Sequence, residues 1–395
     1  MTDDSIYTKA VHAGEGAQLP EGRPVSTPVY PAVTYMHDDM SVLSDVLGYE
    51  RGGYSYSRYG SPTVAALENA VAALEEAAGA VAFSSGMAAL HIALLQAGVR
   101  HDTPVVAAVD LYGATRTLLK YLLPSGRSLR FVDVADTSSV RAAIRESCPR
   151  VVLIETMSNP LLKIADLPAI AEYAHETSAT VLVDSTFTTP FLMRPLKSGA
   201  DVAVHSATKY LGGHGDVLGG VVATDAARAG ALRDLLKTYG SNLGPFEAWT
   251  ILRGIKTFPL RMREQCANAL RVAEWLSGEA RVSRVWFPGL TSHPQHALAQ
   301  RLFRSGCFGG VVTFELREAG CAEVYRFMEA LKLIQTGTSL GDVYSLMLYP
   351  VIASHRALTR EERYAIGITD GVVRLSVGIE SVNDIIADLS QALQA

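Results

Sequence analysis

The chain has 395 residues, of which 48% are hydrophobic and 19% are charged, and its formal net charge is -5. The length predicts two domains, and the small charged fraction predicts that part of the surface is buried between subunits. A net negative charge does not favour a positively charged surface, so nucleic acids and anionic membranes are not expected as partners.

The N-terminal stretch, the apolar runs and the cysteines bear on where the protein is expected to reside. The N-terminal stretch MTDDSIYTKA is acidic and lacks the apolar core of a secretory signal, and the sequence contains no apolar run of about 18 residues. A cytoplasmic protein without a membrane span is therefore expected. The cysteines show no metal-ligand spacing and are expected to be reduced thiols: Cys148, Cys266, Cys307 and Cys321.

Residues 1–62 are rich in Gly, Pro and Tyr, as in GRPVSTPVYPAVTY and RGGYSYSRYGSPT. This composition predicts an extended N-terminal arm that lies on a neighbouring subunit. Ser61 has the character of a helix N-cap and Pro62 that of a first helical residue, so a helix is predicted from there to Gly79. Apolar residues recur in it at helical spacing: Val64, Leu67, Val71 and Leu74.

Residues 63–253 alternate short apolar runs with helical segments such as GMAALHIALLQAG and LPAIAEYAHETSA. The alternation predicts a large α/β domain with a doubly wound, mostly parallel sheet. Ligands of such sheets bind in the crevice beyond the carboxyl ends of the strands. The predicted strands are AVAF, PVVAAV, LRFVDV, VVLIE, TVLVD, DVAVH and GGVVAT.

Residues 254–395 are predicted to form a smaller C-terminal α+β domain. A long amphipathic stretch, PFEAWTILRGIKTFPLRMREQCANALRVAEWLSG, leads into it, and Pro259 is expected to kink or break that helix. The strands of the smaller domain include GGVVTFEL and GVVRLSVGI, and the closing helix is VNDIIADLSQAL.

Three polar features fall on one edge of the predicted large sheet. The segment SSGM, residues 84–87, follows AVAF and opens a helix, which presents backbone amides to an anion. Asp184 ends TVLVD, and an amine, Lys209, follows DVAVH together with two hydroxyl residues, Ser206 and Thr208. An anion cradle, a carboxylate and an amine are thus expected in one pocket.

This combination fits pyridoxal 5'-phosphate, PLP, which needs an amine for a Schiff base, an acid for its pyridine nitrogen and a phosphate site. Lys209 would supply the amine and Asp184 the partner of the ring nitrogen. The glycines after Lys209, in KYLGGHGDVLGG, would let the backbone pass close to the cofactor. The phosphate would be held by the cradle residues Ser85, Gly86, Met87, Ser206 and Thr208.

Each of these residues also has a purely structural explanation when taken alone. A loop lysine is usually a solvated charge, an aspartate after a strand can cap a turn, and Ser85-Gly86 can be an ordinary helix start. His214 and Asp216 in GHGD could suggest a metal, but two ligands in a glycine loop are a weak signal, and no metal is predicted. The joint placement at three strand ends favours the cofactor.

The chain also resembles a known family over nearly its whole length, the PLP-dependent enzymes of cysteine and methionine metabolism. The motifs that carry the resemblance include YSRYGSPT, FSSGMAAL, DLYGATRTLL, VDSTFTTP, HSATKYLGGHGDVLGG and GVVRLSVGIE. The resemblance implies PLP fold type I, the aspartate-aminotransferase-like fold. It also implies a homotetramer in which active sites are shared between subunits.

The resemblance assigns further residues to the site. Tyr56 and Arg58 would contact the phosphate of the neighbouring subunit's cofactor. Tyr112 would stack on the pyridine ring and protonate the leaving group, and Asn159 would bond to the cofactor's 3'-oxygen. Arg374 would bind the α-carboxylate of the substrate. Ser339 would help to orient the lysine amine.

The implied reaction is γ-elimination from methionine, cystathionine or homocysteine, which yields a thiol, 2-oxobutanoate and ammonia. The alternative is γ-replacement on an O-acylhomoserine, and a third possibility is a cofactor-binding regulatory protein. The motifs HGD and SLGD are more similar to those of methionine γ-lyases than to those of cystathionine enzymes. The residues that mark the substrate in these enzymes are, however, altered in this chain. Ala114 stands where methionine γ-lyases have cysteine, Tyr344 where cystathionine enzymes have glutamate, and Arg116 is the candidate for a distal carboxylate contact.

Overall fold

The computed structural model describes residues 5–13, 24–356 and 358–395. All seven runs predicted as strands of the large domain form one sheet. Its strands are β1 Gly79–Phe83, β2 Val105–Ala108, β3 Leu129–Val132, β4 Val151–Glu155, β5 Thr180–Asp184, β6 Val202–Ser206 and β7 Gly220–Thr224.

The strand order of this sheet is β1-β7-β6-β5-β4-β2-β3. β7 is antiparallel to both of its neighbours, and the other neighbouring pairs are parallel. The prediction of a large, mostly parallel sheet is therefore confirmed. Because β1, β4, β5 and β6 run in the same direction, the segments that follow them meet at one edge of the sheet.

The helices along this part of the chain include the predicted GMAALHIALLQ and LPAIAEYAHE segments. Between the first strand and the second sheet, the helices are α4 Gly86–Gln96, α5 Gly113–Leu122, α6 Thr137–Ser147, α7 Leu167–Glu176, α8 Thr189–Leu192, α9 Ala226–Tyr239, α10 Pro245–Ile255 and α11 Phe258–Ser277. No helix in the described ranges is long and apolar enough to cross a bilayer.

The N-terminal segment contains three helices, α1 Ile6–His12, α2 Met40–Leu47 and α3 Pro62–Glu75. The first two interrupt the segment that was predicted to be extended, and residues 1–4 and 14–23 of that prediction lie outside the described residues. In α1, Ile6 and Ala10 are buried against the protein's own core. Contact between residues 1–62 and a neighbouring subunit stays a prediction.

The predicted end of α3 at Gly79 is wrong. The helix ends at Glu75, and Glu76 takes the left-handed conformation, with φ of 54°, so that its N–H bonds back to the last turn. Glu76 can occupy this position because its carboxylate is held by cations from two other segments. Ser61 is the N-cap as predicted, although its side chain makes no capping hydrogen bond.

The predicted break at Pro259 is confirmed. α10 ends at Ile255, and α11 begins at Phe258 with the proline in its first turn, where the missing N–H costs nothing. The predicted boundary between residues 253 and 254 falls inside α10, which packs against α3. The domain boundaries themselves stay a prediction.

The second sheet contains the predicted strands GGVVTFEL and GVVRLSVGI as neighbours. Its order is β10-β11-β12-β9-β8, with only β10 and β11 parallel. Its strands are β8 Val282–Trp286, β9 Val311–Leu316, β10 Gln335–Thr336, β11 Leu346–Leu348 and β12 Val372–Ser376. The helices around it are α12 His296–Leu302, α13 Cys321–Ala330, α14 Arg360–Ala365 and α15 Val382–Ala392.

Candidate active site

A cavity of about 470 Å³ opens at the carboxyl ends of β1, β4, β5 and β6. The segment around residue 340 and the strand β12 of the second sheet close it from the other side. Ten residues that the sequence analysis assigned to the site line this cavity: Ser85, Gly86, Met87, Tyr112, Asn159, Asp184, Ser206, Thr208, Lys209 and Arg374.

Lys209 lies in the turn after β6, where its backbone N–H bonds to the carbonyl oxygen of Ser206. Its Nζ lies 3.0 Å from the Oγ of Ser339, a predicted site residue that comes from the second sheet's side of the cavity. Burial lowers the pKa of the Lys209 amine, and the positive charge of Arg374 lowers it further, whereas Asp342 raises it. These effects increase the fraction of neutral, nucleophilic amine.

The N-terminus of α4 provides the predicted anion cradle. Ser85 is the N-cap, and its hydroxyl accepts the N–H of Ala88 at 3.1 Å. Gly86 packs so tightly on β6 that a Cβ there would lie 2.9 Å from the Cβ of Ser206. The cradle is therefore formed by the first turn of an 11-residue helix and the end of β6, which bring free amides and hydroxyls together.

Two carboxyl groups, the buried Glu155 and the half-buried Asp184, lie side by side at the cavity floor. Asp184 ends β5 and accepts the N–H of Thr186 at 2.9 Å, and burial raises its pKa. Glu155 ends β4 opposite Asp184 in the sheet register and accepts the N–H of Tyr112 at 2.7 Å. Burial raises the pKa of Glu155 well above its usual range, and the nearby charge of Asp184 raises it further.

Arg374 brings a positive charge from β12 into the cavity, although only 2% of its surface is exposed. Its guanidinium donates to Asn159 Oδ1 at 3.0 Å and to the carbonyl oxygen of Ser339 at 2.9 Å. These partners are neutral, its buried Nε has no partner, and burial lowers its pKa to about 10. The site therefore holds a buried cation whose charge is not matched by its hydrogen-bond partners, which favours binding of an anion.

Residues 7–394 match the model of the Cys/Met metabolism PLP-dependent enzyme family. The chain belongs to this family. It is 43% identical over 396 residues to an L-methionine gamma-lyase of Fusobacterium nucleatum subsp. polymorphum, with 98% of each chain covered. It is 40% identical over 394 residues to a cystathionine beta-lyase of Lactococcus lactis subsp. cremoris (strain MG1363), with 99% of each covered.

Solved structures of this PLP-dependent family have the same fold. The crystal structure of cystathionine gamma synthase from Xanthomonas oryzae pv. oryzae in complex with cystathionine matches with a TM-score of 0.92 and 39% identity, covering 100% of this chain and 98% of the other. The aspartate-aminotransferase-like fold predicted from the resemblance is therefore confirmed. The protein is a PLP-dependent enzyme, and its relatives support lyase or synthase activity on sulfur amino acids.

The residues at the cavity fit the family's cofactor. The buried carboxyl of Asp184 has backbone and hydroxyl donors around it, so a protonated pyridine nitrogen would restore its ionised form. The Lys209 amine and the α4 cradle line the same cavity as this carboxyl, so one ring that carries an aldehyde, a phosphate arm and a pyridine nitrogen would have a partner for each group there. Asn159 lies close enough to Arg374 for the two to contact one ligand.

Tyr56 and Arg58 are not among the residues that line the cavity of their own chain. Arg58 lies over the rings of Tyr56 and Tyr59 and donates to the carbonyl oxygen of Lys237 at 2.5 Å. Tyr56 is 39% exposed. Their contact with a neighbouring subunit's cofactor stays a prediction.

Two residues singled out as substrate markers also lie outside the cavity lining. Arg116 donates to the carbonyl oxygen of Val109 at 3.0 Å and lies over the ring of Phe131. The hydroxyl of Tyr344 lies 3.4 Å from the carbonyl oxygen of His214. The role of Arg116 as a contact for a distal carboxylate stays a prediction.

The glycines after Lys209 also permit close packing inside the protein, and their predicted passage beneath the cofactor stays a prediction. None of the glycines in the described segment 212–220 lines the cavity. Gly213 has φ of 73°, and a Cβ there would overlap the guanidinium of Arg261, which donates to the carbonyl oxygen of Tyr210. A Cβ at Gly220 would lie 2.2 Å from the carbonyl oxygen of Ser85. These glycines allow α11 and α4 to pack closely around the lysine turn.

Sequence reasoning missed several cavity residues. Glu155 ends VVLIE as Asp184 ends TVLVD, so its position after a predicted strand was a usable signal. The other residues come from helices, a strand and loops that the tertiary fold brings to the site. The further lining residues are Leu90, Thr115, Met157, Thr186, Phe187, Leu218, Thr338, Leu340, Leu348, Ala353 and Ser354.

Proposed function

We propose that the protein catalyses γ-elimination of a sulfur amino acid, namely methionine, cystathionine or homocysteine, to a thiol, 2-oxobutanoate and ammonia. One observation carries this proposal: the Lys209 amine, the Tyr112 side chain and the Arg374 guanidinium line a single cavity. γ-Elimination needs a base at Cα and Cβ, an acid at the leaving group and a cation for the carboxylate, and these residues supply them.

In this proposal Arg374 binds the α-carboxylate of the amino acid through its planar guanidinium. The Lys209 amine takes the proton from Cα. When bound, PLP takes up the electron pair left at Cα. Once Lys209 has passed that proton to the bound cofactor, its neutral amine would accept a proton from Cβ, and the hydroxyl of Tyr112 would donate a proton to the departing γ-sulfur. Water would then supply the oxygen of the oxo acid as ammonia is released.

The remainder of the cavity favours a substrate with a neutral side chain. Of the described residues that line it, only Lys209 and Arg374 are cationic. Beside Tyr112, the wall includes Leu348 and Ala353. A second carboxylate, as in cystathionine, would lack a cationic partner in one protomer, so methionine and homocysteine are the preferred substrates in this proposal.

The second candidate function is γ-replacement on an O-acylhomoserine. It is supported by the likeness to the cystathionine gamma synthase structure and by the neutral wall, which also suits an acyl ester. We further propose that the enzyme is a cytoplasmic homotetramer that acts on small molecules. Tyr56 and Arg58 would contribute to the active site of a neighbouring subunit. A cofactor-binding regulatory protein would have no use for a partly neutral lysine beside a buried arginine.

The test is to incubate purified protein separately with methionine, homocysteine, cystathionine and O-acetylhomoserine, and to assay 2-oxobutanoate and thiol. γ-Elimination predicts oxo acid from methionine and homocysteine without an added thiol. If oxo acid is absent and a thioether forms only when a thiol is added, the replacement function holds instead. Lys209→Ala should remove turnover and the peptide labelled after borohydride reduction.

A further inference from the structure

Glu155 has no part in the proposed proton transfers, yet it is buried and lines the cavity. It lies at the carboxyl end of β4, in register with Asp184 on β5. Its side-chain carboxyl accepts the backbone N–H of Tyr112 at 2.7 Å, and the backbone N–H of Asn159 lies near the same carboxyl. One carboxyl group therefore faces two loops of the site.

The two loops carry different parts of the site. Tyr112 is the N-cap of α5, and its side chain makes no capping hydrogen bond, so its ring is left at the cavity with 46% of its surface exposed. Asn159 accepts a hydrogen bond from Arg374 at 3.0 Å. A shift of Glu155 would move both the proposed acid and the partner of the proposed carboxylate-binding arginine.

Burial and neighbouring acidic residues both act on the charge of the Glu155 carboxyl. Asp184 and Asp110 are its charged neighbours, and the Lys163 ammonium is bound to Asp110 at 2.9 Å. Two nearby carboxylates and burial both disfavour a third negative charge. The carboxyl oxygen that accepts the Tyr112 N–H can be replaced in that role by the oxygen of an amide.

We propose that Glu155 is a positioning residue for turnover, which fixes Tyr112 and the neighbouring Asn159 loop through its carboxyl group. The turnover arm of the test rests on the proposed function. A second arm measures hydrogen exchange in the cofactor-free protein and does not depend on the proposed function. Failure of this inference can therefore be told apart from failure of the proposed function.

The exchange arm compares Glu155→Met, which keeps the length of the side chain without an acceptor, with Glu155→Gln, which keeps an acceptor. Loss of the acceptor should speed amide exchange at residues 112 and 159 by about tenfold, and Glu155→Gln should leave it unchanged. Glu176→Gln is the matched control, because Glu176 is exposed at the end of α7 and pairs with Arg145. Unchanged exchange in Glu155→Met, or equal acceleration in Glu155→Gln, overturns the proposal.

The turnover arm measures kcat with the amino acid that the wild-type enzyme converts. Glu155→Met should lower kcat by about 10- to 100-fold in the wild-type background, because a misplaced acid transfers its proton poorly. In a Tyr112→Phe background the same change should cost less than about threefold, since the acid is already absent. Equal losses in both backgrounds indicate a merely structural role and overturn the proposal. If Glu155→Met does not fold, Glu155→Gln still tests the proposal. Its kcat should stay within about threefold of the wild-type value, and a larger loss would overturn the proposal.

Discussion

The Nζ of Lys209 lies 3.0 Å from the Oγ of Ser339, although 130 residues separate the two along the chain. The lysine follows the last parallel strand of the large sheet, and the serine lies between β10 and β11 of the second sheet. The position of the amine therefore depends on how the two sheets pack together.

Ser339→Ala should lower kcat by about three- to tenfold and leave KM for the amino acid nearly unchanged. The alanine removes a hydrogen bond that restricts the lysine side chain, but it leaves the Arg374 contact to the carbonyl oxygen of residue 339 in place. Steady-state kinetics measure both constants. Ser339→Thr, which keeps a hydroxyl, should retain most of the activity, and a rise in KM with constant kcat would contradict this role.

Arg374→Lys should raise KM for the amino acid by about 10- to 100-fold. Lysine keeps the positive charge, but it cannot donate at the same time to Asn159, to the carbonyl oxygen of Ser339 and, in bidentate fashion, to a carboxylate. Arg284→Lys is the control, since Arg284 is exposed and lies over the ring of Trp286. An unchanged KM in Arg374→Lys would exclude Arg374 as the carboxylate ligand.

Tyr112→Phe should lower kcat for methionine by about 100-fold and should affect an O-acylhomoserine much less. A carboxylate leaves without a proton far more readily than a thiolate does, so the acid matters most for the thiol. Turnover of both compounds by the two proteins measures the difference. Tyr121→Phe is the matched control, because Tyr121 lies on the same helix and is 80% exposed. Equal losses for the two leaving groups would assign Tyr112 to ring stacking alone.

Gly86→Ala should weaken PLP binding by about tenfold or more, because the new Cβ would press on Ser206 and displace the α4 cradle. Titration of the cofactor-free protein with PLP gives the dissociation constant. Gly230→Ala is the control, since no atom lies within 4 Å of its Cβ position on α9. It should leave PLP binding unchanged and raise the free energy of unfolding by about 0.5–1 kcal/mol. Normal PLP binding by Gly86→Ala would remove the cradle from the proposal.

Glu76→Gln should reduce the free energy of unfolding by about 1–2 kcal/mol at neutral pH. A hydrogen bond from Lys9 is the largest cause that lowers the pKa of the Glu76 carboxyl, from 4.5 to about 2, and Lys197 and Arg194 contribute. Because the folded-state pKa is the lower one, this stabilisation is fully present above pH 4.5 and is lost as the pH falls towards 2.

Urea unfolding of the cofactor-free wild type and of Glu76→Gln at a series of pH values tests this prediction. The difference between the two proteins should be constant above about pH 5 and should shrink below it. Glu172→Gln, an exposed change on α7, should leave the pH dependence as it is in the wild type. A difference that persists undiminished at low pH would show that the carboxylate charge has no part in the effect.

Local pattern was sufficient for the large sheet because most of its strands are short, buried apolar runs, and only the edge strand β3 is largely exposed or half-buried. All residues of β4, for example, are buried, which matches the continuous apolar run VVLIE. The helix start at Ser61 and Pro62 was equally local. The end of α3 was not local, since Glu76 leaves the helix where Lys9 and Arg194 hold its carboxylate, and both lie far away in the sequence.

The sequence by itself determined the alternation of strands and helices and the polar residues after β1, β5 and β6, because parallel strands place their carboxyl ends at one edge. Only the tertiary structure decided which residues of the second sheet reach those ends, such as Ser339 and Arg374. It also paired Arg116 with the carbonyl oxygen of Val109 and Tyr344 with that of His214, and neither residue is part of the cavity lining. The physical reason is that the alternation of strands and helices follows from local burial and periodicity, whereas a contact across more than a hundred residues depends on the packing of whole sheets.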